Sequence, residues 1–226
     1  MDAHACSKEL PLRHPAASPT AADTMSATTK LDLNDAAAKK QALQRVQSVI
    51  PVVPFKGVDA FFDIGGLLGN PAELQLCLDL LVHAVTPFIN DVDSIGCFDA
   101  RGFLFAPYLG ALFQKKVFML RKPDKMPSVS DTIEYFKEYQ GDNATGGDHL
   151  SIQSHAITKG DRVLLVDDLL ATGGTVEAGI RLVQQAGGKV AGAIFVVEIA
   201  VIQGRERALK VAPDAHVISL LTEKDF

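Results

Sequence analysis

Short apolar runs alternate with segments of helical spacing along most of this chain, and the alternation predicts a layered α/β domain. Val163-Leu164-Leu165-Val166 has no polar position, as expected of a strand buried on both faces. Ser94 to Phe98, Val117 to Leu120, Val190 to Ile199 and Val217 to Leu221 read as further strands. Gly102 to Phe113 and Val176 to Gln185 carry helical spacing between them. Upstream, Leu31 to Ile50 predicts a helix stopped by Pro51, and Val58 to Ile64 predicts an extended segment. Pro71 suits the first turn of a helix whose apolar positions run from Leu74 to Val85. Strands alternating with helices of this length point to a Rossmann-like parallel sheet flanked by helices, with its ligands beyond the carboxyl ends of the strands.

Two segments depart from this pattern. Lys122 to His149 begins with basic residues, has a polar middle and ends near Gly141, Gly146 and Gly147. Weak alternation over Ile133 to Tyr139 and clearer alternation over Leu150 to Gln153 predict a two-stranded arm, expected over about 122–155. The first 30 residues mix Pro11, Pro15 and Pro19 with Ala, Ser and Thr, and are expected to be a disordered leader. Asp2, Glu9 and Asp23 fit a mitochondrial transit peptide poorly. The remainder, 31–226, is expected to be one domain.

Composition narrows the function classes. The 226 residues are 47% hydrophobic and 22% charged, usual for a globular protein, and the formal net charge of −5 argues against a general nucleic-acid binder. Cys6, Cys77 and Cys97 lack metal spacing, and reduced thiols in a cytoplasmic setting are expected. No apolar run approaches the roughly 18 residues of a membrane span. His83, His149, His155 and His216 show no ligand spacing and no partner nucleophile.

The chemistry concentrates where predicted strands end. After Val166 come Asp167 and Asp168, then Leu169-Leu170 and the turn Ala171-Thr172-Gly173-Gly174-Thr175, which opens onto a helix. Free N–H groups at a helix N-terminus, two threonine hydroxyls and two glycines form a phosphate cradle. The adjacent carboxylates suit a ribose diol or a hydrated Mg²⁺. Asp99-Ala100-Arg101-Gly102 lies at a second strand end, where Arg101 can add a cation to an anion site or can be a surface arginine beside an N-cap aspartate. Arg121, Lys122 and Lys125 follow a third strand, as a second anion clamp or a solvated charge run.

These strings together resemble a known family. Asp167 to Thr175 resembles the phosphoribosyl-pyrophosphate (PRPP) motif of the type I phosphoribosyltransferases, and its Asp-Asp-Leu-Leu-Ala-Thr-Gly-Gly-Thr form is similar to the adenine branch. Phe98 to Phe105 resembles that branch's pyrophosphate loop, with Ala100 where serine is frequent. Arg121 to Pro127 resembles its Arg-Lys-x-x-Lys-x-Pro segment. Tyr135-Phe136-Lys137-Glu138-Tyr139 resembles its Tyr-Ser-Leu-Glu-Tyr lid motif, with a different middle. Ala60 to Ile64 aligns with its hood segment Val-Phe-Arg-Asp-Ile, with Phe62 in place of the arginine. The resemblance spans roughly Val52 to Leu221, about three quarters of the chain.

The resemblance implies transfer of a phosphoribosyl group from PRPP to adenine, giving AMP and pyrophosphate, with Mg²⁺, in a cytoplasmic homodimer. It implies a small hood over about 31–70, a flexible lid arm and a cis Asp99–Ala100 peptide. Ala171, Thr172, Gly173, Gly174 and Thr175 would take the 5′-phosphate. Asp167 and Asp168 would take the ribose, and the metal, directly or through water. Asp99, Ala100, Arg101, Arg121, Lys122 and Lys125 would take pyrophosphate. Ala60, Phe61, Leu169 and Tyr139 would surround adenine, and Glu138 and Arg101 would be catalytic. A transferase for guanine or hypoxanthine, or a non-catalytic PRPP or purine sensor on the same fold, stays open on the residues alone.

Overall fold

The computed structural model describes residues 31–55, 57–135 and 147–226; the leader therefore lies outside the described residues, as do Glu138 and Tyr139. Five parallel strands make the central sheet: β3 (Ser94–Phe98), β4 (Lys116–Leu120), β7 (Arg162–Leu170), β8 (Lys189–Glu198) and β9 (His216–Thr222). Their order is β4-β3-β7-β8-β9. From β3 the chain crosses through α4 (Ala106–Phe113) to β4. From β7 it crosses the other way, through α5 (Gly174–Gln185) to β8 and then α6 (Gly204–Val211) to β9. Right-handed crossovers running in opposite directions place α4 on one face and α5 with α6 on the other. The strand order thus reverses between β3 and β7, and the crevice beyond their carboxyl ends is where such sheets bind ligands.

Strand β7 supplies the centre of the sheet core. Val163, Leu164, Leu165 and Val166 are all fully buried, as the unbroken apolar run predicts. Val163 and Leu165 share a cluster with Val176, Ile180 and Val183 of α5. The same cluster takes in Leu150 and Ile152 of β6 (Asp148–Gln153), which pairs antiparallel with β5 (Val129–Tyr135). The predicted arm is therefore a two-stranded sheet whose base is packed into the main core. Ser151 also bonds through its backbone to Arg121 at the end of β4, joining the arm to the sheet margin.

The amino-terminal part has α1 (Ala36–Ser48), a hairpin of β1 (Val52–Phe55) and β2 (Val58–Phe62), α2 (Gly65–Leu68) and α3 (Pro71–Val85). Helix α1 starts later than its apolar stripe suggested, because the Asp35 carboxylate caps it by accepting from the Ala38 N–H at 2.8 Å. Strand β1 was not expected. Pro54 breaks its pattern and sits at the irregularity between Val53 and Phe55, where a residue without an N–H is tolerated. Phe55 pairs with Val58 across the turn containing Gly57 at φ 79°, and the glycine there is the signal that marks the hairpin.

Two further expectations are corrected. The helix predicted over Gly102 to Phe113 is a 3₁₀ turn, Arg101–Leu104, followed by α4. Pro107 in the first turn of α4 fixes where the α-helix can begin. Strand β7 does not stop at Val166 but continues through the acidic pair to Leu170, paired there with β8 alone. No described helix is long and apolar enough to cross a membrane.

Candidate active site

Pairing between β3 and β7 ends at Cys97–Val166, whereas pairing between β7 and β8 runs on to Leu170–Glu198. The last residues of β7 therefore have an open edge facing the crevice. Asp167 and Asp168 sit on that edge. The Asp168 N–H donates to Asp167 Oδ1 at 2.9 Å. Asp168 is almost wholly buried, and its Oδ2 lies 2.9 Å from Arg101 Nη1 without a hydrogen-bond alignment. Burial pushes the Asp167 carboxyl well above the usual aspartate range, and the Asp168 charge adds to the shift. Burial also raises Asp168, with Arg101 opposing it. Perturbed carboxylates on an open crevice are the mark of a functional site.

The turn after β7 has the geometry of an anion cradle. Gly173 has φ 81°, a conformation glycine adopts without strain, and it precedes α5 with no side chain capping the helix. The first N–H groups of α5 are left for a ligand, beside the positive end of the helix dipole. Ala171, Thr172, Gly173, Gly174 and Thr175 all line one cavity of about 660 Å³ with Asp167, Asp168 and Leu169.

The 99–104 turn enters the same cavity. The Asp99–Ala100 peptide is cis. Asp99 and Arg101 line the cavity, as do Lys122 and Lys125; Ala100 and Arg121 are not part of its wall. Arg121 is directed elsewhere. Its Nε donates to Asp99 Oδ2 at 2.8 Å, its Nη1 donates to the Lys125 carbonyl at 3.3 Å, and its guanidinium lies over the Phe103 ring. It braces the turn that carries Arg101. Lys122 pairs with Asp148 of β6 at 2.8 Å.

The hairpin supplies an apolar wall. Ala60 and Phe61 line the cavity, as does Leu169, and Phe55 packs on Phe61 with ring centres 5.0 Å apart. The Arg101 guanidinium lies 5.1 Å over the Phe61 ring, a cation–π contact. Phe62 points away from this wall: it is buried edge-on against Phe226. Aromatic Phe55, Tyr135 and His149 were missed as cavity residues, since they come from strands that the sequence pattern did not fully resolve. Cys97 is buried in the core; burial pushes its thiol up to about 12, which leaves no thiolate for chemistry.

The acidic pair yields a testable pH dependence of stability. Because folding raises both carboxyl pKa values, the native chain holds these protons more tightly than the unfolded chain does. Stability contributed by this pair is therefore present below the ordinary aspartate pKa and declines as pH rises towards the raised native values. Asp167→Asn keeps an oxygen to accept from the Asp168 N–H and removes one charge. At neutral pH it should raise the melting temperature by about 2–4 °C, equivalent to roughly 1 kcal/mol in a chain of this size. The gain should shrink in acid, as differential scanning fluorimetry across pH would show.

An open-edged acidic pair, an uncapped glycine turn and a basic loop at a sheet's switch point define a phosphoribosyltransferase. The phosphoribosyl transferase domain model matches residues 65–226, and the chain belongs to that family. Within it, the chain belongs with the adenine phosphoribosyltransferases. It is 42% identical over 158 residues to the Pseudothermotoga lettingae enzyme, covering 70% of this chain and 88% of that one. The Caenorhabditis elegans enzyme is 39% identical over 170 residues, with 75% and 85% covered. Among solved structures, the Rhodothermus marinus enzyme superposes with a TM-score of 0.70 at 33% identity, over 81% of this chain and 99% of that one. The Saccharomyces cerevisiae enzyme, solved with adenine and an imino-altritol bisphosphate, gives 0.70 at 30% identity, over 80% and 99%.

Proposed function

We propose that this chain transfers the 5-phosphoribosyl group from PRPP to adenine, releasing AMP and pyrophosphate, a purine-salvage step. The observation that carries this reading is one cavity walled by the uncapped turn 171–175, the acidic pair, Arg101 and Phe61. Ala171 to Thr175 hold the 5′-phosphate through backbone N–H groups and hydroxyls. Asp167 and Asp168 hold the ribose hydroxyls and offset positive charge growing at C1 as the bond to pyrophosphate breaks. Arg101, with Asp99, Ala100, Lys122 and Lys125 around it, takes charge accumulating on the departing pyrophosphate, and Arg121 acts on that loop through Asp99.

Adenine lies between Phe61 and Leu169, with Tyr139 nearby and the Ala60 backbone reading its edge. Adenine N9 attacks C1 while pyrophosphate leaves with the bonding electrons. Glu138, by resemblance, holds the tautomer protonated at N7 so that the N9 lone pair is free, and it accepts the N7 proton as the new bond forms. The 122–155 arm serves as the lid that excludes water, and residues 31–70 serve as the hood. Tyr135 and Leu150 of the arm already line the cavity, which supports the lid. PRPP is easily hydrolysed, so exclusion of water protects it.

Asp167 and Asp168 would also hold Mg²⁺. Asp168 Oδ2, which has no hydrogen bond beside its ion pair with Arg101, suits a hydrated ion carried mainly by substrate oxygens. Mg²⁺ would neutralise charge on the leaving pyrophosphate. A cytoplasmic homodimer completes the proposal, supported by the exposed apolar Leu104, Leu112 and Val117 and by the unpaired Cys77 and Cys97. Light scattering tests the dimer.

Pyrophosphate release from PRPP, measured with adenine, guanine, hypoxanthine or no base, tests the activity. Release with adenine should exceed release with each other purine by at least about a hundredfold, since mismatched edges leave buried polar groups unpaired. Equal release with all purines, or none with adenine, would overturn the reading.

A further inference from the structure

Helix α6 abuts the back of the phosphate turn so closely that only glycines fit. A Cβ on Gly204 would lie 2.0 Å from the Ala171 carbonyl oxygen, and one on Gly173 would lie 2.5 Å from the Gly204 carbonyl oxygen. The start of α6 is itself anchored. Arg205 bonds both carboxylate oxygens of buried Glu198 at the end of β8 and the Val217 carbonyl of β9. The Ser219 hydroxyl donates to the same carboxylate at 2.8 Å.

One turn further on, Arg207 reaches across to α5. Its Nε donates to the carboxylate of Glu177, which stands in the first turn of α5. Arg181, one turn along α5, donates to the other oxygen of that carboxylate at 2.7 and 2.9 Å. Burial alone would raise the Glu177 carboxyl, but these two arginines outweigh it and hold it below the usual range. Glu177 is therefore a full negative charge at the positive end of the helix that faces the phosphate turn. A first-turn acid ordinarily stabilises a helix through the dipole. Here it would repel a dianion bound at the same end of the helix.

We propose that Arg207 is a positioning residue for PRPP: it pairs with the Glu177 carboxylate and keeps that charge from opposing the 5′-phosphate at the start of α5. The proposal rests on the reading that residues 171–175 hold that phosphate. Arg207 does not line the cavity, so its effect passes through Glu177 and the packed turn.

Four forms of the full chain test it: wild type, Arg207→Gln, the double variant Glu177→Gln/Arg207→Gln, and Thr175→Val as a direct probe of the turn. Arg207→Gln should raise the KM for PRPP about tenfold while kcat and the KM for adenine stay within about twofold, the pattern of lost uniform binding. Removing the acid as well should return the KM for PRPP to within about threefold of wild type, a coupling that a purely structural role for Arg207 would not show. A raised KM that the double variant does not recover overturns the proposal. So does an unchanged KM in Arg207→Gln when Thr175→Val raises it, and in that case the phosphate reading survives. An unchanged KM in Thr175→Val overturns the phosphate reading and this inference with it.

Discussion

Arg101→Ala is expected to lower kcat/KM for PRPP by between about a hundredfold and a thousandfold, the usual range for removing one preorganised charge from a leaving group. Arg101 is the cation that ties the site together: it lies 2.9 Å from Asp168 and over the Phe61 ring, within the cavity that holds the phosphate turn. Its removal should act in two ways. The departing pyrophosphate loses a counter-charge, and Asp168 loses the group that opposes its burial, so its carboxyl should rise further. The acid limb of the kcat/KM profile should therefore move to higher pH in the variant. Arg101→Lys should recover part of the rate, because it restores charge without the planar, two-pronged donor. Since the Arg101 side chain is more than a third exposed, the fold should persist, with a melting temperature within a few degrees of wild type. Turnover near the wild-type rate in Arg101→Ala would remove Arg101 from the mechanism.

Glu138→Ala should reduce kcat by about a hundredfold or more, the contribution typical of a positioned general acid or base, with the KM for PRPP little changed. The informative comparison is Glu134, four residues earlier on the same arm. Its carboxylate accepts the Gly147 N–H at 3.0 Å, and a Cβ on Gly147 would lie 2.6 Å from the Glu134 side chain. Glu134 thus holds the two strands of the arm together beyond the Glu134–His149 and Tyr135–Asp148 pairs. Glu134→Ala should alter arm stability and raise PRPP hydrolysis in the absence of base, while leaving the rate with bound adenine largely intact. If instead Glu134→Ala abolishes transfer and Glu138→Ala does not, the register of the lid motif is shifted and the base is Glu134. Rapid-quench measurement of AMP formation in a single turnover separates the two outcomes.

Much of this molecule was legible in residue order because its information is local. A short apolar run rich in Val and Leu and closed by a glycine turn suits a doubly covered strand, and Val163 to Val166 lies in one. Glycine pairs after a strand and before helical spacing announce an anion turn, and Gly173 takes the conformation that its lack of a Cβ permits. Motif order then placed Asp99, Arg101, Lys122, Lys125 and the acidic pair at strand ends, and all of these line one cavity.

What escaped the sequence pattern depends on partners distant in the chain. Whether β7 ends at Val166 or Leu170 is decided by β8, which goes on offering backbone groups after β3 has stopped. Arg121 reads as a pyrophosphate clamp in sequence, and the fold sets Asp99 2.8 Å from it, a partner that residue order does not reveal. Phe62 could have faced the base; Phe226, from the far end of the chain, draws it into the core instead. Helix α6 has too few apolar positions to be recognised, and its value lies in bringing a glycine against another glycine across thirty-one residues. Periodicity and turn chemistry act over a few bonds, so the chain alone determines its elements and the kinds of groups they carry. Charge pairing, strand extension and close backbone contact act through space, so only the folded chain decides which of those groups face the ligand and which hold the others in place.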